Sequence, residues 1–202
     1  MADEVQERIL RAAIEAATLH GITRLSVADV AKRAGLSRPT LYKHYPSKDA
    51  LITAAVKHEA ETMIAAVRTI VDSIGDPGDA LRAGALTALR LVREHPLLDR
   101  IVRTEPEVLV PLLTVDDSIV MPAIRRPVEQ MVGDKIPGLD AVARRRVADV
   151  LARLVVSYAL SAPDDPPEVV ADLLAAVVVG GAASLARDAT RAASSTAPGR
   201  EP

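Results

Sequence analysis

The chain has 202 residues, no cysteine, and 27 acidic against 25 basic side chains, for a net charge of −2. With no Cys there is neither a structural disulfide nor a thiolate zinc site, which suits a reducing cytoplasm. The opening Met-Ala-Asp-Glu-Val-Gln-Glu-Arg is polar rather than a secretory leader, and the longest uncharged apolar run, 173–186, is too short to span a bilayer, so no membrane partner is expected.

Apolar residues recur with a helical period along the chain, and no convincing alternating pattern occurs, so the fold class expected is all-α. Val5, Ile9, Ala12, Ala16 and Leu19 form the first stripe, ending at Gly21. Ser26 precedes the apolar period Val27, Val30, Ala31, Ala34 and has Asp29 three residues on, a capping-box-like start. Gly35 stands where that helix must end and the chain must turn. Ser37 offers the next N-cap, with Pro39 in a first turn that does not need its missing N–H. The short helix from about Arg38 to His44 should bury Leu41 and part of Tyr45, leaving Arg38, Thr40, Tyr42, Lys43 and His44 outward. Pro46 ends it, and Ser47 caps a long helix to about Ser73 with Lys48 in its first turn.

Gly75-Asp76-Pro77-Gly78 breaks that helix and starts the next, which runs to about His95, where Pro96 is expected to stop it. Residues 97–113 hold two short helical pieces separated by Glu105-Pro106. A helix over 117–132 should bend at Pro122 and Pro127. Ile136-Pro137-Gly138 turns the chain before a helix over 140–161. After a loop at 163–167, Asp165 and Glu168 suit the start of a last helix ending near Arg191. The domains expected are a three-helix N-terminal domain at 1–47 (with a two-helix motif at about 26–45), a larger helical domain at 48–191, and a disordered tail at 192–202.

Two short helices joined by a tight Gly-centred turn make a helix-turn-helix, whose second helix can enter a DNA major groove. Between Arg24 and Lys48, six Lys or Arg stand against one acid, a local +5 in a chain of −2. Positive charge gathered on one small subdomain of an acidic protein is the footprint of a phosphate-backbone binder. An enzyme is not expected: His20, His44, His58 and His95 lack metal-ligand spacing, and there is no phosphate loop, nucleophile elbow or Cys–His pair. Neither a metal nor a cofactor is implied. The alternative is a helical adaptor that binds protein instead of DNA, whose function would survive changes at Arg38, Lys43 and Lys48. Individual residues also have plainer roles open to them: Tyr42 and Tyr45 in closing the small core, His44, Lys32 and Arg33 on a solvated face.

The run 24–51, and above all Thr-Leu-Tyr-Lys-His-Tyr-Pro-Ser-Lys at 40–48, resembles the N-terminal domain of the TetR family of bacterial transcriptional regulators. The motif-bearing resemblance covers about the first 60 residues; beyond them length and an all-helical pattern match. The resemblance implies a homodimer on a near-palindromic operator, usually repressing and released when a small molecule enters the C-terminal domain. It places Arg38, Pro39, Thr40 and Lys43 at the groove, with Arg38 at a guanine edge and Pro39 and Thr40 in apolar or methyl contacts. Tyr42, His44 and Lys48 match phosphate-contacting positions, and Ser26 a helix N-terminus that donates to phosphate. Val27 and Ala28 leave the first motif helix without a long polar reader, so specificity would rest on Arg38, Lys43 and Thr40.

In the last helix Val169, Val170, Leu173, Leu174, Val177, Val178 and Val179 leave almost no polar face, and Gly180-Gly181 allows close approach. Such a helix must be covered; one chain of this length could bury it internally, but the resemblance implies a four-helix dimer bundle with the preceding helix and their symmetry mates. Two recognition helices about 34–36 Å apart then match one turn of B-DNA. The central helices should enclose the effector pocket. There is no Phe or Trp, and of the three Tyr only Tyr158 lies in the C-terminal part, so an aromatic cage for a cation is not expected. Met63, Leu91, Val108, Leu112, Met121, Ile124, Val128 and Leu154 suit the walls of a site for an aliphatic effector. Arg103, Arg125, Ser157 or Tyr158 would hold its polar head. Each wall residue suits plain core equally well.

Overall fold

The computed structural model describes residues 2–108, 120–161 and 164–195. Among these, nine α-helices and one 3-10 turn account for the regular structure, and no strand is present. The helices are α1 (Ala2–His20), α2 (Val27–Arg33), α3 (Arg38–His44), α4 (Lys48–Asp72), α5 (Pro77–Glu94), α6 (Pro96–Thr104), α7 (Val120–Lys135), α8 (Ala141–Leu160) and α9 (Pro167–Ser195), with the 3-10 turn at Pro106–Val108. The chain divides into two compact units, Met1–Ala65 with Leu91–Ile124, and Ala66–Arg90 with Arg125–Pro202.

The first unit is built on α1, which packs against α2 and α6, while α2 packs against α3. Its core joins Ile9, Ala13 and Ala16 of α1, Val30 and Ala31 of α2, Leu41 of α3, Leu51 and Ala55 of α4, and Leu97 and Ile101 of α6. The apolar stripe of α1 ends sooner than its spacing suggests. Leu19 is 56% exposed, because a 3.6-residue period carries the buried face through Ala12, Ala13, Ala16 and Ala17 and leaves position 19 outside it. The expected α4 cap forms, with Ser47 Oγ accepting from Ala50 N–H at 3.0 Å.

Pro96 does not merely end α5. It occupies the first turn of α6, where the absent N–H costs nothing, and His95 is the N-cap, its Nδ1 accepting from Leu98 N–H at 3.4 Å. With Nδ1 accepting, the proton sits on Nε2, which meets Glu59 Oε1 of α4 at 3.0 Å. The bond from His95 holds the Glu59 carboxyl below its ordinary value against the opposing effect of burial.

The second unit begins where Asp76 Oδ1 accepts from Asp79 N–H at 2.9 Å and so caps α5. Gly84 lets α5 meet the end of α4 closely, since a Cβ there would stand 2.7 Å from Val71 Cγ2. Arg68 reaches Asp134 at 3.2 Å and Lys135 donates to the Ile74 carbonyl, fastening α7 to the α4–α5 corner. α7 reaches Lys135, three residues past the expected end at 132, with Pro127 inside it; residues 117–119 lie outside the described ones.

Asp140 caps α8 through Ala143 N–H at 2.7 Å. α8 and α9 pack together and bury Val147, Ala148, Leu151 and Ala152 on one side, Val170, Leu174 and Val178 on the other. α9 continues to Ser195, past the expected end at Arg191.

Over Pro167–Leu185, about a third of α9 is buried within its own chain. Val169, Leu173 and Val177 are 49%, 52% and 54% exposed on one face, and a Cβ at Gly180 or Gly181 would meet nothing within 4 Å. The stretch Pro167–Leu185 has the length and apolarity of a membrane span. Within it, however, Glu168 and Asp172 pair with Arg90 and Arg82 of α5, and the residues between them include the buried Val170 and Ala171.

Candidate DNA interface

The turn between α2 and α3 is made from local hydrogen bonds. Leu36 N–H donates to Ala31 O at 2.9 Å and Gly35 N–H to Lys32 O at 3.1 Å, with Gly35 at φ +65°. These are the paired six-to-one and five-to-two bonds of a Schellman exit, which requires a left-handed residue in the position that Gly35 fills. One residue later Ser37 caps α3, its Oγ accepting from Thr40 N–H at 3.2 Å and lying 2.8 Å from Thr40 Oγ1. Leu41, fully buried, pins α3 to the core and turns its other face outward.

On that face Arg38, Pro39, Tyr42 and Lys43 are exposed, whereas Thr40 and His44 are half-buried. Arg38 and Lys43 have no carboxylate partner among the described residues. Tyr45 ends the helix in an extended conformation, and its partial burial pushes the phenol up from its ordinary pKa.

The capping box expected at α2 does not form. Ser26 holds the N-cap conformation, with its carbonyl accepting from Asp29 and Val30 N–H, but its hydroxyl makes no capping bond. Asp29 is engaged elsewhere: its carboxylate bonds Arg33 Nε at 2.9 Å and lies 3.6 Å from His20 Nε2. The Arg33 bond holds the Asp29 carboxyl below its ordinary value against the opposing effect of desolvation, and the charges of Arg33, His20 and Lys32 assist it. The local excess of positive charge therefore falls on Arg24, Lys32, Arg38, Lys43 and Lys48, with Arg33 neutralised in place.

Lys48 is half-buried at the start of α4, where its Nζ donates to the Thr23 carbonyl at 2.6 Å. The same turn is gripped from the other side by Glu105, whose carboxylate accepts from Ile22 N–H at 2.8 Å and Thr23 N–H at 3.3 Å. Glu105 was not singled out by the sequence; its partners lie 83 and 82 positions away, and the only local sign is that it separates two helical pieces. His95 was likewise missed, because a histidine cap is a weak signal beside Ser, Thr, Asp or Asn.

Residues expected to line an effector site divide between the two units. Met63, Leu91 and Ile124 are half-buried in the first, Met121 is buried, and Val108 packs against the N-terminal core. Arg103 is exposed and bonds Asp99 at 2.6 Å. In the second unit Val128 is buried, Leu154 and Tyr158 are half-buried, Ser157 is exposed, and Arg125 pairs with Asp149 at 3.6 Å. Leu112 lies outside the described residues.

The family model for bacterial regulatory proteins of the tetR family matches residues 9–55, and that for the bacterial tetracyclin repressor C-terminal domain matches residues 76–179. The chain belongs to the TetR family. It carries the N-terminal helix-turn-helix and C-terminal helical domain of that family, a family of DNA-binding transcriptional regulators and not of enzymes. An uncharacterised HTH-type transcriptional regulator of Mycobacterium tuberculosis (strain H37Rv) is 34% identical over 92 residues, 46% of each chain; the match spans about half of that relative. The transcriptional activator FasR of Mycolicibacterium smegmatis is 25% identical over 157 residues, 78% of this chain and 71% of FasR. Among solved structures, the TetR-family repressor AlkX from Dietzia, implicated in biodegradation of n-alkanes, superposes with a TM-score of 0.72 at 24% identity, over 88% of this chain and 97% of AlkX. FadR of Bacillus subtilis in complex with stearoyl-CoA superposes with a TM-score of 0.60 at 15% identity, over 87% and 98%. These two likenesses carry the fold alone.

Proposed function

We propose that this TetR-family regulator is a cytoplasmic, homodimeric repressor that leaves a near-palindromic operator when an aliphatic effector binds its C-terminal domain. The observation that carries the DNA half is the outward face of α3, where Arg38 and Lys43 stand without carboxylate partners among the described residues, beside a turn set by Gly35. Arg38 reads a guanine edge, Lys43 reaches the groove, and Pro39 and the Thr40 methyl make apolar contacts. Tyr42, His44, Lys48 and the unbonded Ser26 hydroxyl hold phosphates on either side.

The dimer half rests on α9. Its Val169, Leu173 and Val177 face carries apolar area that a second copy would remove from water, worth about 25 cal/mol per Å2, and an isologous pairing presents two α3 helices to two half-sites. The effector half rests on composition, since a C-terminal part without Phe or Trp has aliphatic walls to offer. AlkX is implicated in alkane degradation and FadR holds an acyl-CoA, which favours a long-chain acyl or alkyl guest. Binding shifts the population toward a state in which the spacing of the two α3 helices no longer fits both half-sites.

The test is a salt-dependent gel shift on the DNA upstream of the chain's own gene. Wild type should bind, and Arg38→Ala should lose about 1–3 kcal/mol together with discrimination at one position, while changing a phosphate-contacting Lys lowers the salt slope by about one. Retained binding in an Arg38→Ala, Lys43→Ala double variant would refute the α3 reading, and a wild type that ignores DNA would favour a protein partner. Stearoyl-CoA and long-chain fatty acids should raise the melting temperature and release the DNA; no shift with any of them would refute the aliphatic effector. A promoter reporter separates repression from the activation for which FasR is named.

A further inference from the structure

We infer that Glu105, from the far end of α6, positions the operator-facing turn and Lys48, so that the DNA-binding unit of this protein is complete only with α6 in place. The inference rests on the reading of Lys48 as a phosphate contact. Glu105 is 7% exposed and is the one buried charged side chain among the described residues. A carboxylate so placed needs donors, and it finds them in two successive backbone N–H groups, Ile22 and Thr23, which follow the end of α1 and have no helical acceptor.

Three features show that the contact is built into the fold. Gly21 takes φ +89°, and a Cβ on it would stand 2.6 Å from Glu105 Oε1 and 2.7 Å from Oε2, so the turn is shaped around the carboxylate. Leu97 and Ile101 of α6 are 3% and 1% exposed within the same core as α1, α2 and α3, which fixes the helix that carries Glu105. Thr23 is held on both sides, by Glu105 at its N–H and by the Lys48 ammonium at its carbonyl.

The consequence for DNA binding follows from the donor count of an ammonium. Lys48 has three N–H donors; one is spent on the Thr23 carbonyl, which fixes the long side chain, and two are left to face a phosphate. If the turn is released, Lys48 regains its rotamer freedom and the contact loses its preorganisation. Glu105 is therefore a positioning residue, acting through Thr23, and is itself not a DNA contact.

The sign of the effect separates this from simple electrostatics. Removing a negative charge from a DNA-binding unit should tighten binding if only long-range charge matters. Positioning predicts the reverse. In the full-length protein, Glu105→Gln and Glu105→Ala should weaken binding to the upstream DNA about 3-fold and about 10-fold, with a salt slope lowered by about one, as for Lys48→Ala. The double variant Glu105→Ala, Lys48→Ala should bind about as weakly as Lys48→Ala alone, because the two act along one path. Amide exchange at Ile22 and Thr23 should quicken about 10-fold or more in Glu105→Ala without DNA present. Unchanged or tighter binding, additive losses in the double variant, or unchanged exchange at those two amides would each overturn the inference. If wild type itself ignores the upstream DNA, or Lys48→Ala binds as wild type does, the phosphate reading of Lys48 fails instead, and the exchange rates still decide whether Glu105 holds the turn. Should Glu105→Ala fold poorly, Glu105→Gln, which keeps one acceptor oxygen, carries the comparison.

Discussion

Gly21 and Gly35 both adopt positive φ, at +89° and +65°, yet a methyl group added to each meets different surroundings. At Gly35 nothing lies within 4 Å, so Gly35→Ala should cost only the left-handed strain, about 1–2 kcal/mol. At Gly21 the new Cβ would lie 2.6–2.8 Å from three atoms of the Glu105 carboxyl group, inside any tolerable contact. The carboxylate must withdraw, leaving the Ile22 and Thr23 N–H groups short of their acceptor at about 1–3 kcal/mol each, partly recovered by water. Gly21→Ala should therefore cost about 3–5 kcal/mol, roughly 2–3 more than Gly35→Ala.

For a chain of this length each kcal/mol moves Tm by about 2–4 °C, so the two variants should melt about 5–10 °C apart. Scanning calorimetry or circular dichroism melts of the purified variants would measure it. On a Glu105→Ala background the excess should vanish, because the carboxylate that the methyl displaces is already gone. Equal melting temperatures for Gly21→Ala and Gly35→Ala would refute the reasoning, and with it the claim that the turn is fitted around Glu105.

Leu41→Ala should destabilise the first unit by about 2–5 kcal/mol in denaturant titrations, since Leu41 is fully buried and joins α3 to the shared core. Val177→Asp places a charge on the uncovered face of α9 and should convert a dimer to a monomer in light scattering while leaving the helix content unchanged; a monomeric wild type would refute the proposed pairing. Glu59 and Glu105 should each contribute an acid-sensitive share of stability. Hydrogen bonding from His95 lowers the Glu59 value, and at Glu105 burial works to raise the value but is outweighed by bonds from Thr23 and Ile22 and by the charge of Arg100. Both folded-state values lie below the unfolded one of about 4.3, so their stabilisation is present above that pH and is lost as pH falls through the depressed values. Urea titrations from pH 6 to pH 3 should show this loss, flattened in Glu59→Gln; an unchanged slope in that variant would refute the Glu59 assignment.

Features set within a few residues were legible without coordinates. The Gly35 exit, the Ser37 and Ser47 caps, Pro39 in a first turn and the outward Arg38 and Lys43 all follow from backbone conformation and short-range hydrogen bonding, which travel with the local sequence. Legibility failed where a side chain had more than one partner within reach. Asp29 could cap Ser26, yet it bonds Arg33, one helical turn on, and approaches His20 from the end of α1. Pro96 could end a helix or begin one, and the choice fell to His95, anchored by Glu59 from α4. Likewise, the composition of α9 called for apolar cover all round, and the packing of α8 decided which side of it is satisfied within the chain.

What the amino-acid order alone determined is the set of helices and the character of the α3 face, because both depend on periodicity, caps and charge count. Tertiary structure alone decided that Glu105 grips the Ile22–Thr23 turn and that Lys48 is tied to the carbonyl of Thr23. Those bonds join positions far apart in the chain, and only the burial of α6 against α1 brings a lone carboxylate to two backbone amides that would otherwise have no acceptor.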